Sequence, residues 1–210
     1  MAKLNSGDDT IVPFQGLDRE KLQVLVLDPG GEIKQLLDLL LAPIAGRILH
    51  VRSAEEGFAL ALAKGPDLIV AFNGPYDLGS RLCALVRQEP SIGNTPFLIL
   101  TSSNVKEYPA YLESGCDQIL PIPFRCQDFF AAIRSALARI PDHDPQAVQV
   151  LLPSGKALLV ETQELDRLIE RNGIVCFRRR DGVAVIGRDP VRSGQPAGYT
   201  GEDRRRQPAG

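Results

Sequence analysis

The chain has 210 residues, is 44% hydrophobic and carries a formal net charge of −2. That length and apolar content supply a sizeable core and exclude global disorder, and the near-neutral balance excludes a whole-protein field that recruits nucleic acid or an anionic membrane. No apolar run reaches the roughly 18 residues of a membrane span, no secretory leader is evident, and Cys83, Cys116, Cys126 and Cys176 form no CxxC pair, so a soluble intracellular protein with free thiols is expected rather than a disulfide framework or a zinc site.

Residues 1–20 mix Ser, Gly, Asp and Pro without a period and predict a flexible N-terminal arm. Leu22–Leu27 (LQVLVL) predicts a first strand, ending at Asp28-Pro29-Gly30-Gly31. Ile33, Leu36, Leu37, Leu40 and Leu41 then keep the spacing of an amphipathic helix, which Pro43 stops. Arg47–Val51 predicts a second strand. Ser53 and Glu56 make a capping box ahead of a helix carrying Phe58, Ala61 and Leu62, and Gly65-Pro66 breaks it.

The stretch 66–79, PDLIVAFNGPYDLG, organises the rest. Leu68, Ile69, Val70 and Ala71 form a continuous apolar run, the pattern of a strand buried on both faces of a parallel sheet. It ends in the turn signal Asn73-Gly74-Pro75 and leads to a helix with Leu78, Leu82, Leu85 and Val86. In α/β sheets the loop after such a strand is where chemistry sits, yet this one offers Ala71, Phe72 and Asn73 and no carboxylate before Asp77.

Pro96–Leu100 predicts a fourth strand running into Thr101-Ser102-Ser103. Pro109 fits the first turn of a short fourth helix that Gly115 ends. Gln118–Leu120 is a minimal fifth strand, followed by Pro121-Ile122-Pro123-Phe124. Phe129, Phe130, Ile133, Leu137 and Ile140 mark a fifth helix, closed by Pro141. Five strands alternating with five helices predict an α/β domain over 21–140, a doubly wound parallel sheet with helices on both faces.

A linker is expected over 141–146, followed by a different pattern over 147–192. Val148–Leu152 and Ala157–Val160 flank Pro153-Ser154-Gly155-Lys156 as a hairpin. Thr162 is placed to cap a helix with Leu165, Leu168 and Ile169, and Gly173 to stop it. Ile174–Arg179 and Val183–Gly187 flank Arg180-Asp181-Gly182 as a second hairpin. This ββαββ module is too short to bury a comfortable core alone, so it is expected to dock on the first domain or on another copy. Its core candidates are Val150, Leu159, Leu168, Ile169, Phe177, Val185 and Ile186. Residues 193–210 predict a disordered tail.

Four landmarks, VLVLDPGGEI at 24–33, the stretch 66–79, TPFLILTS at 95–102 and SGCDQILPIPF at 114–124, resemble the receiver domain of two-component response regulators, the CheY-like family, over roughly 21–140. The resemblance implies a flavodoxin-like sheet of order 2-1-3-4-5. It also implies an acidic pair for Mg²⁺ after strand one, a phosphoryl-accepting aspartate after strand three, a Ser or Thr after strand four and a Lys after strand five. Carried over residue by residue, Asp28 matches the first acid and Pro29 replaces the second. The acceptor position falls on Phe72 when counted from Pro66, or on Ala71 when counted back from Pro75 and Gly79, with a one-residue deletion between. Thr101 matches the hydroxyl, and Ile122 replaces the lysine.

These losses predict a degenerate receiver, since one carboxylate is a poor Mg²⁺ site and the mechanism lacks its acceptor and its cation. Asp28 has a plainer reading as the cap of the helix beginning near Gly31, and Thr101 as an ordinary turn residue. His50 and His143 have no partner spacing for a metal or a triad. The second module resembles short bacterial proteins with a pattern like Asp181-Gly182-Val183, which implies no activity. Arg178, Arg179 and Arg180 offer possible anion contacts, with a solvated sheet edge as the plainer alternative.

The expectation is a bacterial cytoplasmic signalling protein without catalysis, cofactor or metal. Its degenerate receiver would bind a protein partner, with a homodimer through the fourth helix, fifth strand and fifth helix as one form that the resemblance implies. The alternative is a nucleic-acid-binding output regulator that uses the Arg-rich hairpin; an enzyme ranks third.

Overall fold

A computed structural model describes residues 21–74, 77–138, 147–153, 157–179 and 182–191. The expected arm, linker and tail, and with them Ile140, His143, Arg180 and Asp181, lie outside the described residues. No helix among the described residues is long and apolar enough to cross a membrane. The chain forms two compact units, and their division does not follow chain order. One holds the described residues through Asn104 and from Ser114 to the end of the fifth helix; the other holds Val105–Glu113 and the described residues beyond 140.

In the first unit β1 (Leu22–Leu27), β2 (Ala45–Val51), β3 (Leu68–Asn73), β4 (Phe97–Thr101) and β5 (Gln118–Pro121) form one parallel sheet of order β2-β1-β3-β4-β5. The alternation of elements predicts the parallel sheet, and this flavodoxin-like order is the one that the receiver resemblance implies. Its helices are α1 (Lys34–Leu41), α2 (Ala54–Lys64), α3 (Leu78–Gln88) and α5 (Cys126–Leu137). The central strand β3 is buried along its whole length, as its unbroken apolar run requires.

Alternation along the strands sorts the core. Val24, Val26, Leu68, Val70, Phe72, Leu98 and Leu100 pack with Leu37 and Leu41 of α1 and with Phe129, Ile133 and Ala136 of α5. Leu25, Leu27, Ile69, Ala71 and Ile99 are equally buried at the intervening positions. The capping box before α2 forms: Ser53 Oγ accepts from Glu56 N–H at 3.1 Å, while Glu56 Oε2 accepts from Arg52 N–H at 2.9 Å. β2 begins two residues before its predicted start, where Ala45 pairs with Leu22.

α5 buries Phe129 and Ile133, and Phe130 and Leu137 pack half-buried against the same core. Among the described residues, the large apolar side chains that stand exposed are Leu36 and Leu39 of α1 and Leu62 of α2.

The second unit carries α4 (Tyr108–Glu113), preceded by a single 3-10 turn, together with β6 (Ala147–Leu151), β7 (Ala157–Glu161), α6 (Thr162–Glu170), β8 (Cys176–Arg179) and β9 (Gly182–Val185). The strands form an antiparallel sheet of order β7-β6-β8-β9, so the ββαββ order is present. Val150, Phe177 and Ala184 share one cross-strand row and join Leu165 and Ile174 in a small core. Leu151, Ala157 and Cys176 occupy the next row, hence the opposite face, and are also buried. α4 packs along β8 and β9, so this module draws on a helix from the middle of the chain.

Two end signals of α6 act differently from their predicted roles. Thr162 is the first helical residue and Glu161 the cap, without a side-chain capping bond. At the other end Asn172, not Gly173, takes the left-handed conformation (φ 51°), and Gly173 N–H donates to Leu168 O at 2.8 Å. Asn tolerates that conformation better than most residues, which frees the glycine from it.

Candidate functional site

The C-terminal edge of the parallel sheet gathers the predicted site residues, at the point where strand order reverses around β1 and β3. Register fixes who stands beside whom. Ala71 lies opposite Leu27 and Ile99, Phe72 opposite Leu100, and Asn73 opposite Thr101, which in turn lies opposite Pro121. The residue across from the Thr101 hydroxyl is therefore an amide, and neither Ala71 nor Phe72 occupies that row.

Asp28 follows β1 and is buried. Its Oδ1 accepts from Glu32 N–H at 3.2 Å and its Oδ2 from Ile33 N–H at 3.0 Å, at the start of α1. Both oxygens thus serve backbone donors of the turn that leads into α1, just ahead of its first residue. Pro29, beside it, is half-buried and has no side-chain oxygen.

At the end of β3 the Phe72 ring is 9% exposed and belongs to the apolar core between the sheet, α1 and α5. Ile122, after β5, is partly buried against that same cluster. The two apolar substitutions therefore close the edge from one side as extensions of the core. Thr101 is fully buried; its Oγ1 accepts from Ser103 N–H at 3.0 Å, and its carbonyl accepts from Ile122 N–H at 2.8 Å.

Asn73 does the work that counting along the chain did not reveal. Its Oδ1 accepts from Gly79 N–H at 2.8 Å and Ser80 N–H at 3.2 Å, and its Nδ2 donates to Asp77 Oδ1 at 2.9 Å. One buried amide thereby caps α3 and orients the Asp77 carboxylate. A glycine is needed opposite it, because a Cβ on Gly79 would stand 2.8 Å from Asn73 Oδ1. The sequence signal was present, in a polar residue six positions ahead of a glycine that opens a helix.

The arginine candidates are engaged within their own unit. Arg178 Nη2 donates to Leu112 O at 2.6 Å. Arg179 Nη2 donates to Pro190 O at 3.0 Å, and its guanidinium carbon lies 5.0 Å from the Phe177 ring centre. Arg188 pairs with Asp189 through two contacts of 3.3 and 3.2 Å, and it is held above its ordinary pKa chiefly by that hydrogen bond. The Asp189 carboxyl is held low, first by the Val185 N–H and then by Arg188. His50 Nε2 lies 2.7 Å from Asp38 Oδ1, in a part-buried pair between β2 and α1. Among the described residues no group of three His, Cys, Asp or Glu side chains is placed to hold a metal ion.

The largest polar network sits at the other end of the sheet. Arg87, in the last turn of α3, donates from Nε to Gly115 O at 2.8 Å and from Nη1 to Gly93 O at 2.7 Å and Thr95 O at 2.8 Å. Its Nη2 meets Asp117 Oδ2 at 2.8 Å, and that oxygen also accepts from Phe97 N–H at 2.8 Å. Gly115 (φ 100°) is the one residue type that fits there, since a Cβ would lie 2.6 Å from Arg87 Cγ.

No family model matches the chain. Among curated proteins it is 28% identical over 129 residues to the DNA-binding dual master transcriptional regulator RpaA of Synechocystis, covering 60% of this chain and 53% of that protein. It is 29% identical over 123 residues to the response regulator ArlR of Staphylococcus haemolyticus, covering 58% and 55%. The chain thus spans about half the length of the curated relatives it matches. A response-regulator structure from Chloroflexus aurantiacus aligns with a TM-score of 0.53 and 26% identity, over 57% of this chain and all of that one. The chemotaxis response regulator CheY4 of Vibrio cholerae shares the fold, with a TM-score of 0.50 and 21% identity over 56% of this chain and 99% of that one. With the 2-1-3-4-5 sheet beside these similarities, the N-terminal 58% or so of the chain is a receiver domain of the response-regulator, CheY-like family.

Proposed function

We propose that this receiver is degenerate and works without accepting phosphoryl, as a protein–protein interaction module in a bacterial, cytoplasmic two-component or phosphorelay pathway. The observation that carries this reading is the edge of β3, where Ala71 and Phe72 are buried apolar residues and the amide of Asn73 faces Thr101. Asp28 spends both oxygens on backbone N–H groups of the turn that leads into α1, Pro29 adds no ligand, and Ile122 extends the core where a cation is needed. Phosphoryl transfer depends on placing an acceptor and neutralising charge, and neither part is present in this arrangement. Its partner is a protein of the same pathway; sedimentation reads whether a second copy fills that role.

The test is intact-protein mass spectrometry at neutral pH after incubation with acetyl phosphate and Mg²⁺. Wild type and Phe72→Asp alone are expected to stay unmodified, and the triple variant Pro29→Asp, Phe72→Asp, Ile122→Lys to regain the missing groups. An adduct on wild-type Asp28 or Asp77, lost when that residue is replaced, overturns the reading.

A second reading is favoured by one observation, the DNA-binding designation of the RpaA relative. It would make this chain a nucleic-acid-binding output regulator acting through β8 and β9. Against it, the guanidinium groups of Arg178 and Arg179 hold carbonyls of their own chain. A mobility shift with generic DNA that fades steeply with salt would favour this second reading, because phosphate contacts release counterions.

A further inference from the structure

α4 has six residues and, with the turn Val105–Glu107 before it, belongs to the second unit, while the chain through Asn104 and again from Ser114 belongs to the first. In its own unit it packs along β8 and β9, with Tyr108, Tyr111 and Leu112 buried. The face of the second sheet opposite α6 presents Leu151, Ala157 and Cys176, all buried. Strand alternation puts Arg178 on that same face, two residues after Cys176. There Arg178 Nη2 donates to the Leu112 carbonyl at 2.6 Å. That carbonyl lies in the last turn of α4, where a helix leaves its acceptors without internal partners, and a cation is favoured at this end. Glu113, the last residue of α4, lies close enough to act on the Cys176 thiol, which burial first and Glu113 second push up to about 12.

We propose that Arg178 is a latch that holds α4 on the second sheet, and that the helix is a detachable cover over the Leu151, Ala157 and Cys176 face. Opening the Arg178–Leu112 bond lets α4 leave β8 and β9 as one step and uncovers Cys176. The device is independent of whether the receiver takes phosphoryl. It also accounts for how a ββαββ module of marginal size closes its second face.

The four cysteines supply the readout in the full-length protein. Cys126 is exposed, while Cys83 and Cys116, in the first unit, and Cys176 are buried. N-ethylmaleimide labelling at neutral pH, resolved by peptide mass spectrometry, should modify Cys126 at once and Cys176 slowly in wild type. Arg178→Met removes a charge-assisted hydrogen bond and should speed labelling of Cys176 by about tenfold or more, leaving Cys83 and Cys116 at wild-type rates. Arg179→Met, which removes the neighbouring guanidinium but not the latch, should leave Cys176 slow. An unchanged Cys176 rate in Arg178→Met overturns the proposal, and so does equal acceleration of all three buried thiols, which reports whole-chain opening. If Arg178→Met does not fold, Arg178→Lys keeps the charge with a poorer donor geometry, and Cys176 should then label at an intermediate rate; a wild-type rate there also overturns the latch.

Discussion

At the N-terminal ends of β4 and β5 the receiver buries a full ion pair, whereas at the C-terminal ends of β1, β3 and β4 it buries Asp28, Asn73 and Thr101 against backbone donors. The two edges belong to one sheet and are about equally dry. At the lower edge Arg87 and Asp117 satisfy each other and four backbone groups, so the charge is held rigidly and has a structural task. At the upper edge each polar side chain closes a turn or opens a helix. Burial of a polar group is therefore a poor guide to chemistry by itself. What separates a working pocket from a braced one is whether its oxygens are aimed at a ligand or at the chain's own N–H groups.

The comparison is broken most severely from below. Arg87→Met should destabilise the protein by about 3–5 kcal/mol, because it takes the guanidinium partner from a buried carboxylate and one donor from each of three carbonyls. Urea unfolding followed by circular dichroism reads this as a fall in midpoint at unchanged slope. A loss below about 1 kcal/mol, the range of an exposed pair, would mean that this edge is wet and the contrast false.

The fold was legible because its signals are local and repeated. Five apolar runs, each followed by a helical period and a glycine or proline stop, leave little room for another architecture. The capping box at Ser53 and the role of Asp28 at α1 were readable for the same reason, since the partners lie within five residues. Arg87 was not legible, because its partners Gly115 and Asp117 lie 28 and 30 residues away and nothing nearby marks them. Nor was the transfer of α4 to the second unit, whose contacts with β8 span 66 residues at Arg178. At the site the resemblance implies a lost acid after β3 and a lost lysine after β5, and it says less about the contacts of the residues that stand there. That Asn73 stands across from Thr101 depends on sheet register, which counting from Pro66 or back from Pro75 does not determine.

The upper edge should break more gently. Asn73→Ala removes the acceptor for two N–H groups at the start of α3, and should cost about 1–2 kcal/mol, the usual range for a lost helix cap. Asn73→Asp keeps that acceptor and sets a negative charge at a helix N-terminus, but it places a second carboxylate where the amide had donated to Asp77 at 2.9 Å. It should fall between wild type and Asn73→Ala at neutral pH. The same urea titration ranks the three, and an Asn73→Ala protein as stable as wild type would show that the amide braces nothing.

The smallest effect belongs to a polar cluster at neither edge, on the outside of α1 and β2. Asp38 accepts from Lys34 Nζ at 2.6 Å and lies 2.7 Å from His50 Nε2, with about a third of its side chain exposed. Lys34 first and His50 after it hold its carboxyl below the ordinary value, against an opposing push from partial burial. A carboxylate with a lowered folded pKa stabilises the protein above its unfolded pKa of about 4, and that contribution is lost as pH falls through the lower folded value. Lys preceding Asp by four residues is also the weaker order for a helical pair. Asp38→Asn should therefore lose no more than about 0.5 kcal/mol at pH 7 in physiological salt, and less at 1 M salt. The gap between wild type and variant should close below about pH 4, where the carboxyl takes up its proton and only hydrogen bonds remain. A gap that widened on acidification would mean that the His50 contact, rather than the Lys34 pair, dominates this cluster.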